Sequence, residues 1–179
     1  MACDLTTGRG EVCKSSVGGL KNIYFVNYAD ITSYTYDSTD TDLVATAVGA
    51  GTINAYKYEL KGVNTFDQNV TSSRENGTTF VEQNVTLTLK KQDIATHKEI
   101  KLLAYGRPRA VIEDYNGNFF LVGLEHGVDV QTVAITSGTV MGDLNGYTLT
   151  MQGMEKIPAN FIDTANEAGL LAVGLTVVS

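Results

Sequence analysis

The segment from residue 81 to residue 89 alternates between a mostly apolar set of side chains and a polar set. The first set comprises Val81, Gln83, Val85, Leu87 and Leu89, and the second comprises Glu82, Asn84, Thr86 and Thr88. A period of two residues places the two sets on opposite faces of a β-strand. The pattern therefore predicts a strand with one face buried and the other in contact with solvent.

The composition of the whole chain agrees with a β-rich protein. Charged residues make up 18% of the sequence, below the roughly 25% of an ordinary globular domain. Threonine and valine suit pleated surfaces, and 18 glycines against 2 prolines indicate many tight turns. The length of 179 residues fits a single domain, which can fold without metals or disulfides.

One helix is predicted, at about 93–105. Asp93 is a typical N-cap residue, and Gly106 and Pro108 are residues that end helices. The helix interrupts an otherwise strand-rich sequence, so it is expected to flank a sheet rather than to belong to a helical bundle.

Turn signals between apolar runs predict hairpins in the second half of the chain. Tyr115-Asn116-Gly117-Asn118 separates 109–114 from 119–124, and Asn-Gly is a strong hairpin signal. Another hairpin is expected to pair 128–140 with 147–153.

Further strand segments are predicted at 22–36, 52–60 and 170–178, with polar stretches at 37–42 and 154–167. One helix among about eight strands predicts a mainly β fold, an antiparallel β-sandwich or half-closed barrel with one flanking α-helix.

Two segments differ from this strand pattern. Residues 1–21 are glycine-rich and are predicted to form an extended N-terminal arm, followed by a single β-rich domain at 22–179. Residues 61–79 are the least hydrophobic part of that domain and are predicted to form a long polar loop, which is typical of a functional or disordered segment. An arm, a long loop and strands with polar faces are features that β-augmentation and ring assembly use. The residues expected to contact another subunit are Asn64, Phe66, Asn69, Arg74, Asn76, Leu5, Val12 and Val17.

The charge of the chain argues against tight binding to nucleic acid. The net charge is −7 and the sequence pI is about 4.7, whereas phosphate binding needs clustered Lys and Arg. The nearest basic cluster, Lys90-Lys91 with Lys98 and Lys101, is sparse. An acidic surface can nevertheless form a wall that nucleic acid passes without sticking, because like charges repel.

The start of the chain lacks the basic and apolar regions of a secretory signal, and no stretch reaches the ~20 apolar residues of a membrane-spanning helix. Cys3 and Cys13 are therefore interpreted as reduced thiols.

Motifs that would carry chemistry are incomplete. Residues 8–15 miss a phosphate-binding loop by one glycine and lack a preceding strand. The acidic segment 37–42 lacks the glycine and the final glutamate of an EF-hand loop. His97 and His126 have no partners at catalytic or metal-ligating spacing. The sequence thus predicts a protein that is not an enzyme, with no catalytic, cofactor-binding or metal site.

Residues 1–10 and 15–21 resemble the start of small virion proteins of tailed bacteriophages, including those of crAss-like phages. The order of the later segments resembles phage tail-tube and neck-ring proteins. The matching segments are 63–79, 80–90, 93–105, 109–124 and 144–153.

The resemblance implies a virion structural protein, assembled in the host bacterial cytoplasm. Its subunits would form a homo-oligomeric ring or tube in the tail or neck, with other tail or neck proteins as partners. In that family neighbouring sandwiches continue their sheets around a ring, a long loop reaches the next ring, and DNA passes an acidic lumen without specific binding. The alternatives are a head decoration or fibre-anchoring protein and a carbohydrate-binding β-module. The last class usually exposes tryptophan, and the chain has no tryptophan.

Overall fold

The structure is a computed structural model that describes residues 7–11 and 13–179. In this part of the chain it contains twelve β-strands, one α-helix and two short 3-10 helices. The strands of the first half are β1 (Leu20–Val26), β2 (Ser33–Tyr36), β3 (Leu43–Val48), β4 (Ile53–Glu59), β5 (Thr65–Ser73) and β6 (Thr78–Lys90). After helix α1 (Ile94–Tyr105) follow β7 (Arg109–Asp114), β8 (Phe119–Val122), β9 (Asp129–Thr136), β10 (Gly146–Glu155), β11 (Asn160–Ile162) and β12 (Leu175–Val178). The 3-10 helices span Tyr28–Asp30 and Glu167–Leu171.

The strands form two sheets. The larger has the order β12-β4-β1-β7-β8-β11-β3-β2, and the smaller has the order β5-β6-β10-β9. Neighbours are antiparallel except for the parallel pairs β11–β3 and β12–β4. The Ala47 amide of β3 donates a hydrogen bond of 2.8 Å to the Val173 carbonyl, just before β12. The eight-stranded sheet therefore curls towards itself and forms a half-barrel.

Strand β1 lies at the centre of the molecule and is buried on both faces. Ile23 and Phe25 pack towards the smaller sheet, in a core shared with β6, β10 and helix α1. Tyr24 and Val26 point into a second core inside the curled sheet. Burial on both sides explains why residues 23–26 of this strand are a continuous apolar run rather than an alternating one.

The predicted fold class, a β-sandwich or half-closed barrel with one flanking helix, is confirmed. The helix predicted at 93–105 begins at Ile94, and Asp93 caps it by accepting a 2.8 Å hydrogen bond from the Thr96 amide. This bond satisfies one of the free amides that every helix start leaves.

The two predicted hairpins are also confirmed, as β7–β8 and β9–β10. In the first turn, Asp114 Oδ1 accepts hydrogen bonds from the amides of Asn116 and Asn118, both 2.8 Å long. Gly117 adopts a φ of +82°, a conformation that glycine reaches without steric cost.

Several element predictions need correction. Most of the segment 61–79, predicted as a loop, is strand β5 and the turn that joins it to β6. The strand material predicted over 22–36, in pieces at 23–26 and 31–36, forms the two strands β1 and β2, and the second begins at Ser33 after a 3-10 helix. The final strand begins at Leu175 rather than at residue 170, because a 3-10 helix precedes it. Strand β1 begins at Leu20, so the last two residues of the predicted arm belong to the sheet.

Candidate functional site

The outer face of the smaller sheet carries a row of four threonines that crosses all of its strands. Thr65 of β5 pairs with Thr86 of β6, which pairs with Thr150 of β10, which pairs with Thr132 of β9. Directly paired residues point to the same side of a sheet. The outward-pointing surface of β5, β6, β10 and β9 is called the threonine face below.

A second row of polar side chains runs beside the threonines. It comprises Asp67, Asn84, Gln152 and Asp129, paired across the same four strands. Glu82 of β6 also points outward, and these residues are exposed or half-buried. Three carboxylates stand on this face against one lysine at its end, Lys90. The threonine face is therefore hydrophilic and carries net negative charge.

The opposite face of the same strands forms the core. Val85, Leu87, Leu149 and Met151 are fully buried between the sheets. The buried Gln83 joins the two sheets, since its Oε1 accepts a 3.0 Å hydrogen bond from the Gly123 amide. The burial pattern predicted for 81–89 is thus observed. Gln83 can lie on the buried face because its side-chain polar atoms form hydrogen bonds.

Strands β5 and β9 are the edges of the smaller sheet. Each terminal strand leaves one row of backbone N–H and C=O groups that its own sheet does not use. Natural edge strands are often protected by lysine or proline, and neither residue occurs in Thr65–Ser73 or Asp129–Thr136. A register shift lies opposite Thr150/Met151 in the β9–β10 pair. The second half of β9 therefore keeps a regular hydrogen-bonding pattern. Helix α1 lies beside β9, and Gln92 Nε2 donates a 2.8 Å hydrogen bond to the Thr136 carbonyl at the end of this strand. Within the described residues neither β5 nor β9 pairs with a further strand on its outer side.

The directions of the four strands alternate, because every neighbouring pair in this sheet is antiparallel. With an even number of strands, β5 and β9 run in opposite directions. When copies are related by rotation about a ring axis, β9 of one copy meets β5 of the next in an antiparallel arrangement. The sheet can therefore continue from copy to copy without a change in its hydrogen-bonding pattern.

The β5–β6 hairpin extends beyond the rest of its sheet. Strand β6 pairs with β10 as far as Val81, whereas its pairing with β5 continues to Ser73 and Thr78. Three residue pairs correspond to about 10 Å at the usual rise per residue. Residues 71–80 are called the hairpin tip. Asn69 lies just below it, and the predicted contact residues Arg74 and Asn76 form part of its turn; all three are exposed.

Two other predicted contact residues serve the fold of their own chain. Asn64 is only 7% exposed, and its Oδ1 accepts a 2.8 Å hydrogen bond from the Thr88 amide. The side chain of Asn64 thus fixes the start of β5 against β6, and its contact with another subunit stays a prediction. Phe66 is half-buried, and its ring centroid lies 5.9 Å from that of Phe120.

In the predicted arm, Val17 is exposed, while its backbone exchanges two hydrogen bonds of 2.8 and 2.9 Å with the side chain of Asn116. The predicted contact residues Leu5 and Val12 lie outside the described residues.

Glu113 is the centre of a buried polar cluster in the larger sheet. Its carboxylate accepts hydrogen bonds from Lys21 Nζ at 2.5 Å, Asn22 Nδ2 at 2.6 Å and the Tyr24 hydroxyl at 3.0 Å. Burial raises the pKa of Glu113, but the three hydrogen bonds outweigh burial, so the pKa lies below its ordinary value. Burial and the adjacent carboxylate raise the pKa of Tyr24 well above its usual range. The cluster is an ionised carboxylate with protonated donors, and this arrangement holds β1 against β7.

A second buried carboxylate, Glu155, holds the turn that follows β8. Its Oε1 accepts from the amides of Glu125 at 3.0 Å and His126 at 2.7 Å, and its Oε2 lies 3.2 Å from His126 Nδ1. Within residues 7–11 and 13–179, these three side chains are the one group close enough to share a metal ion. The backbone amides already use Glu155 Oε1, which favours a structural role.

Arg109 is a third buried polar residue that the sequence analysis did not single out. Its guanidinium donates to the carbonyls of Leu124, Tyr28 and Ile31 at 2.7–3.1 Å. It lies 4.3 Å from the centroid of the Tyr28 ring, which is cation–π geometry. The partners of Arg109, Glu113 and Glu155 lie 15 to 92 residues away along the chain, so no local motif signals these clusters.

Comparisons with protein-family models, with curated proteins and with solved structures give no match to this chain. Among the described residues, no helix is long and apolar enough to cross a membrane.

Proposed function

We propose that this protein is a non-catalytic structural subunit of a homo-oligomeric ring or tube. In this assembly β9 of one copy pairs with β5 of the next, and the four-stranded sheets join into a closed barrel. The observation that carries the proposal is the smaller sheet, which has two edge strands of opposite direction without lysine or proline and an even number of strands. Pairing copies this way satisfies the free backbone groups on both edges of every copy.

The threonine face would line the lumen of such a ring. Its opposite face is occupied by the core of the domain, so this polar surface remains available in the assembly. The carboxylates of Asp67, Glu82 and Asp129 would give the lumen a negative potential. Because like charges repel, a DNA backbone could pass through without binding.

The place of the ring in a virion is part of the same proposal. The resemblance of residues 1–10 and 15–21 to virion proteins of tailed bacteriophages supports it, as does the order of the later segments, which is similar to that of tail-tube and neck-ring proteins. The protein would then assemble in the host bacterial cytoplasm with other tail or neck proteins and become part of the virion.

Thiol cross-linking of the two edges tests the ring directly. In a Cys3→Ser, Cys13→Ser background, Thr65→Cys and Thr132→Cys place one thiol on each edge, in the register that continues the threonine row. A short bifunctional thiol reagent should link β5 of one copy to β9 of the next. We expect a ladder of covalent oligomers on a denaturing gel that ends at the size of the closed ring, and rings of that size in electron micrographs.

The two single variants are the matched controls. Head-to-tail pairing predicts that Thr65→Cys alone and Thr132→Cys alone remain monomers after treatment, since each interface then holds one thiol. A strong dimer band from either single variant would instead indicate a two-fold pair of identical edges, and it would contradict the ring. A protein that remains monomeric or trimeric in sedimentation and binds assembled capsids would favour a head decoration role.

Shortening the hairpin tip should separate ring formation from ring stacking. Replacing residues 71–80 by Asn-Gly keeps the part of β5 that packs on the core and closes the hairpin with a two-residue turn. Because the removed residues are largely exposed, we expect a folded domain that still forms rings but no longer stacks them into tubes. Sedimentation and electron microscopy measure this outcome, with Thr79→Ala as the control of unchanged length. Normal tubes from the shortened protein would show that the tip has no part in stacking.

A further inference from the structure

A groove of about 540 Å³ lies between the end of helix α1 and the strands β1 and β4. Its walls are rich in aromatic side chains, contributed by Phe25, Tyr28, Tyr56 and Tyr58. Leu102, on the helix side, is 58% exposed. The groove is therefore an open apolar surface that the described residues leave uncovered. It is called the helix groove.

Two charged side chains are part of the helix groove. Glu99 comes from the middle of α1, and Arg107 follows its end, with its guanidinium 4.3 Å from the Tyr28 ring centroid. A binding segment with both signs of charge and small apolar side chains would match this lining.

The N-terminal arm has few contacts with its own domain. Its residues 7–11 and 13–19 are all exposed, and none of them lies in a helix or strand. Before Val17, the hydrogen bonds found in these described residues are local ones between Ser15 and Cys13. Ordering such a segment costs roughly 1–2 kcal/mol per residue in backbone entropy, so a partner surface is needed to hold it in one conformation.

The arm and the helix groove lie at opposite ends of strand β1. The arm enters β1 at Leu20, beside the β7–β8 turn, where the Tyr115 amide donates to the Gly19 carbonyl at 3.3 Å. The groove is lined by residues at the other end of the strand, Val26 and its successors. Seven residues of strand separate the two, about 20 Å at the usual rise. An arm that folded back to its own groove would have to lie along its own domain, whereas its described residues are exposed.

We propose that the helix groove binds the N-terminal arm of another copy of this chain, so that copies stack head to tail. This inference rests on the proposed ring function and adds a contact between successive rings. An exit at one end and a groove at the other form a heterologous contact, which repeats along an axis where it does not close into a ring. Twelve extended residues can span up to about 40 Å, enough to reach from one copy into the next.

The chemistry of the arm fits the groove. Arg9, Glu11 and Lys14 supply the charges that Glu99 and Arg107 can pair with, and Gly8 and Gly10 allow the backbone to approach the tyrosine rings. Apolar side chains such as Val17 would cover the exposed aromatic and leucine surface.

Disulfide trapping between two distinguishable full-length chains tests this contact. The donor carries Cys3→Ser and keeps Cys13, which is an exposed free thiol in the arm. The acceptor has an added affinity tag and carries Cys3→Ser, Cys13→Ser and Leu102→Cys. We expect the mixture to form a mixed disulfide of donor and acceptor under mild oxidation, visible as a band of intermediate mobility on a non-reducing gel.

The matched control is an acceptor with Lys98→Cys instead of Leu102→Cys. Lys98 is exposed on the same helix, one turn away, and does not line the groove. The proposal predicts several-fold more mixed disulfide with Leu102→Cys than with Lys98→Cys. Tyr56→Ala alters the groove and should remove this difference in yield between the two acceptors. Equal yields from the two acceptors would overturn it. Equal yields together with an intact ladder of oligomers cross-linked through β5 and β9 would reject the arm contact but not the ring. Absence of that ladder would reject the ring.

Discussion

Replacing Glu113 by glutamine should destabilise the folded protein by about 3 kcal/mol, on the scale of a buried carboxylate that loses its charge and its hydrogen bonds. The side chain of Glu113 is 3% exposed, and Asn22 and Tyr24 donate to it from buried positions. In glutamine an NH2 group replaces one carboxylate oxygen, so a hydrogen-bond donor would face the donors of Asn22 and Tyr24. Chemical denaturation at pH 7 would measure the loss as a lower midpoint with an unchanged slope.

The pH dependence of this effect has a defined sign. The folded-state pKa of Glu113 lies below its ordinary value of 4.5, so ionised Glu113 stabilises the fold at pH values above that ordinary pKa. The stabilisation is lost as the pH falls through the folded-state pKa. The difference in unfolding free energy between the native protein and Glu113→Gln should therefore be largest near neutral pH and shrink in acid.

Glu59→Gln is the matched control for this prediction. Glu59 lies on the neighbouring strand, pairs with Asn22 in register and has a side chain that is 69% exposed. Its ion pair with Lys57, at 3.7 Å, is of the surface kind, which contributes about 0–1 kcal/mol. If Glu113→Gln and Glu59→Gln had equal effects, the buried cluster would not hold β1 against β7 as described.

Replacing Leu149 by alanine should cost about 2–5 kcal/mol, the usual range for a leucine removed from a well-packed core. Leu149 is completely buried between the two sheets, where it is paired in register with Leu87 and Val133. Truncation leaves a cavity in the layer that joins the four-stranded sheet to the half-barrel. Thermal and chemical denaturation would measure the effect.

Thr150→Ala, at the next position of the same strand, is the control. Thr150 points outward on the threonine face and is half-buried, so its truncation leaves no cavity and we expect a change within about 0.5 kcal/mol. If Leu149→Ala changed the unfolding free energy as little as Thr150→Ala does, the two sheets would not pack against each other through this strand.

The sequence was sufficient for elements whose signals are local. The alternation at 81–89 predicted which face of β6 is buried, since a period of two is a property of the strand itself. Asp93 predicted the start of the helix, and Asn116-Gly117 predicted the β7–β8 turn, because capping and turn formation involve residues within four positions of each other.

The sequence was misleading where residues are polar because of their position in the fold and not because the segment lacks secondary structure. Residues 65–73 are polar because one face of β5 is solvated and its tip extends past the sheet, and this polarity favoured a loop. Strand β11 has three residues, too few for a periodic pattern. Of the candidate contact residues, Asn69, Arg74 and Asn76 are exposed, and their contact with another subunit stays a prediction. The burial of Asn64 could not be predicted from its neighbours.

The amino-acid sequence by itself determined that this protein is β-rich, where its helix and main hairpins begin, and that its net charge is negative. Each of these properties is carried by single residues or by neighbours along the chain. Only the tertiary structure decided that four distant threonines form one row, that β5 and β9 are the edge strands of one sheet, and that the arm and the helix groove lie at opposite ends of β1. These relations join residues that are distant in the sequence, such as the paired Thr86 and Thr150, which are 64 positions apart. No local pattern encodes such distances because register and strand order are set by packing of the whole core.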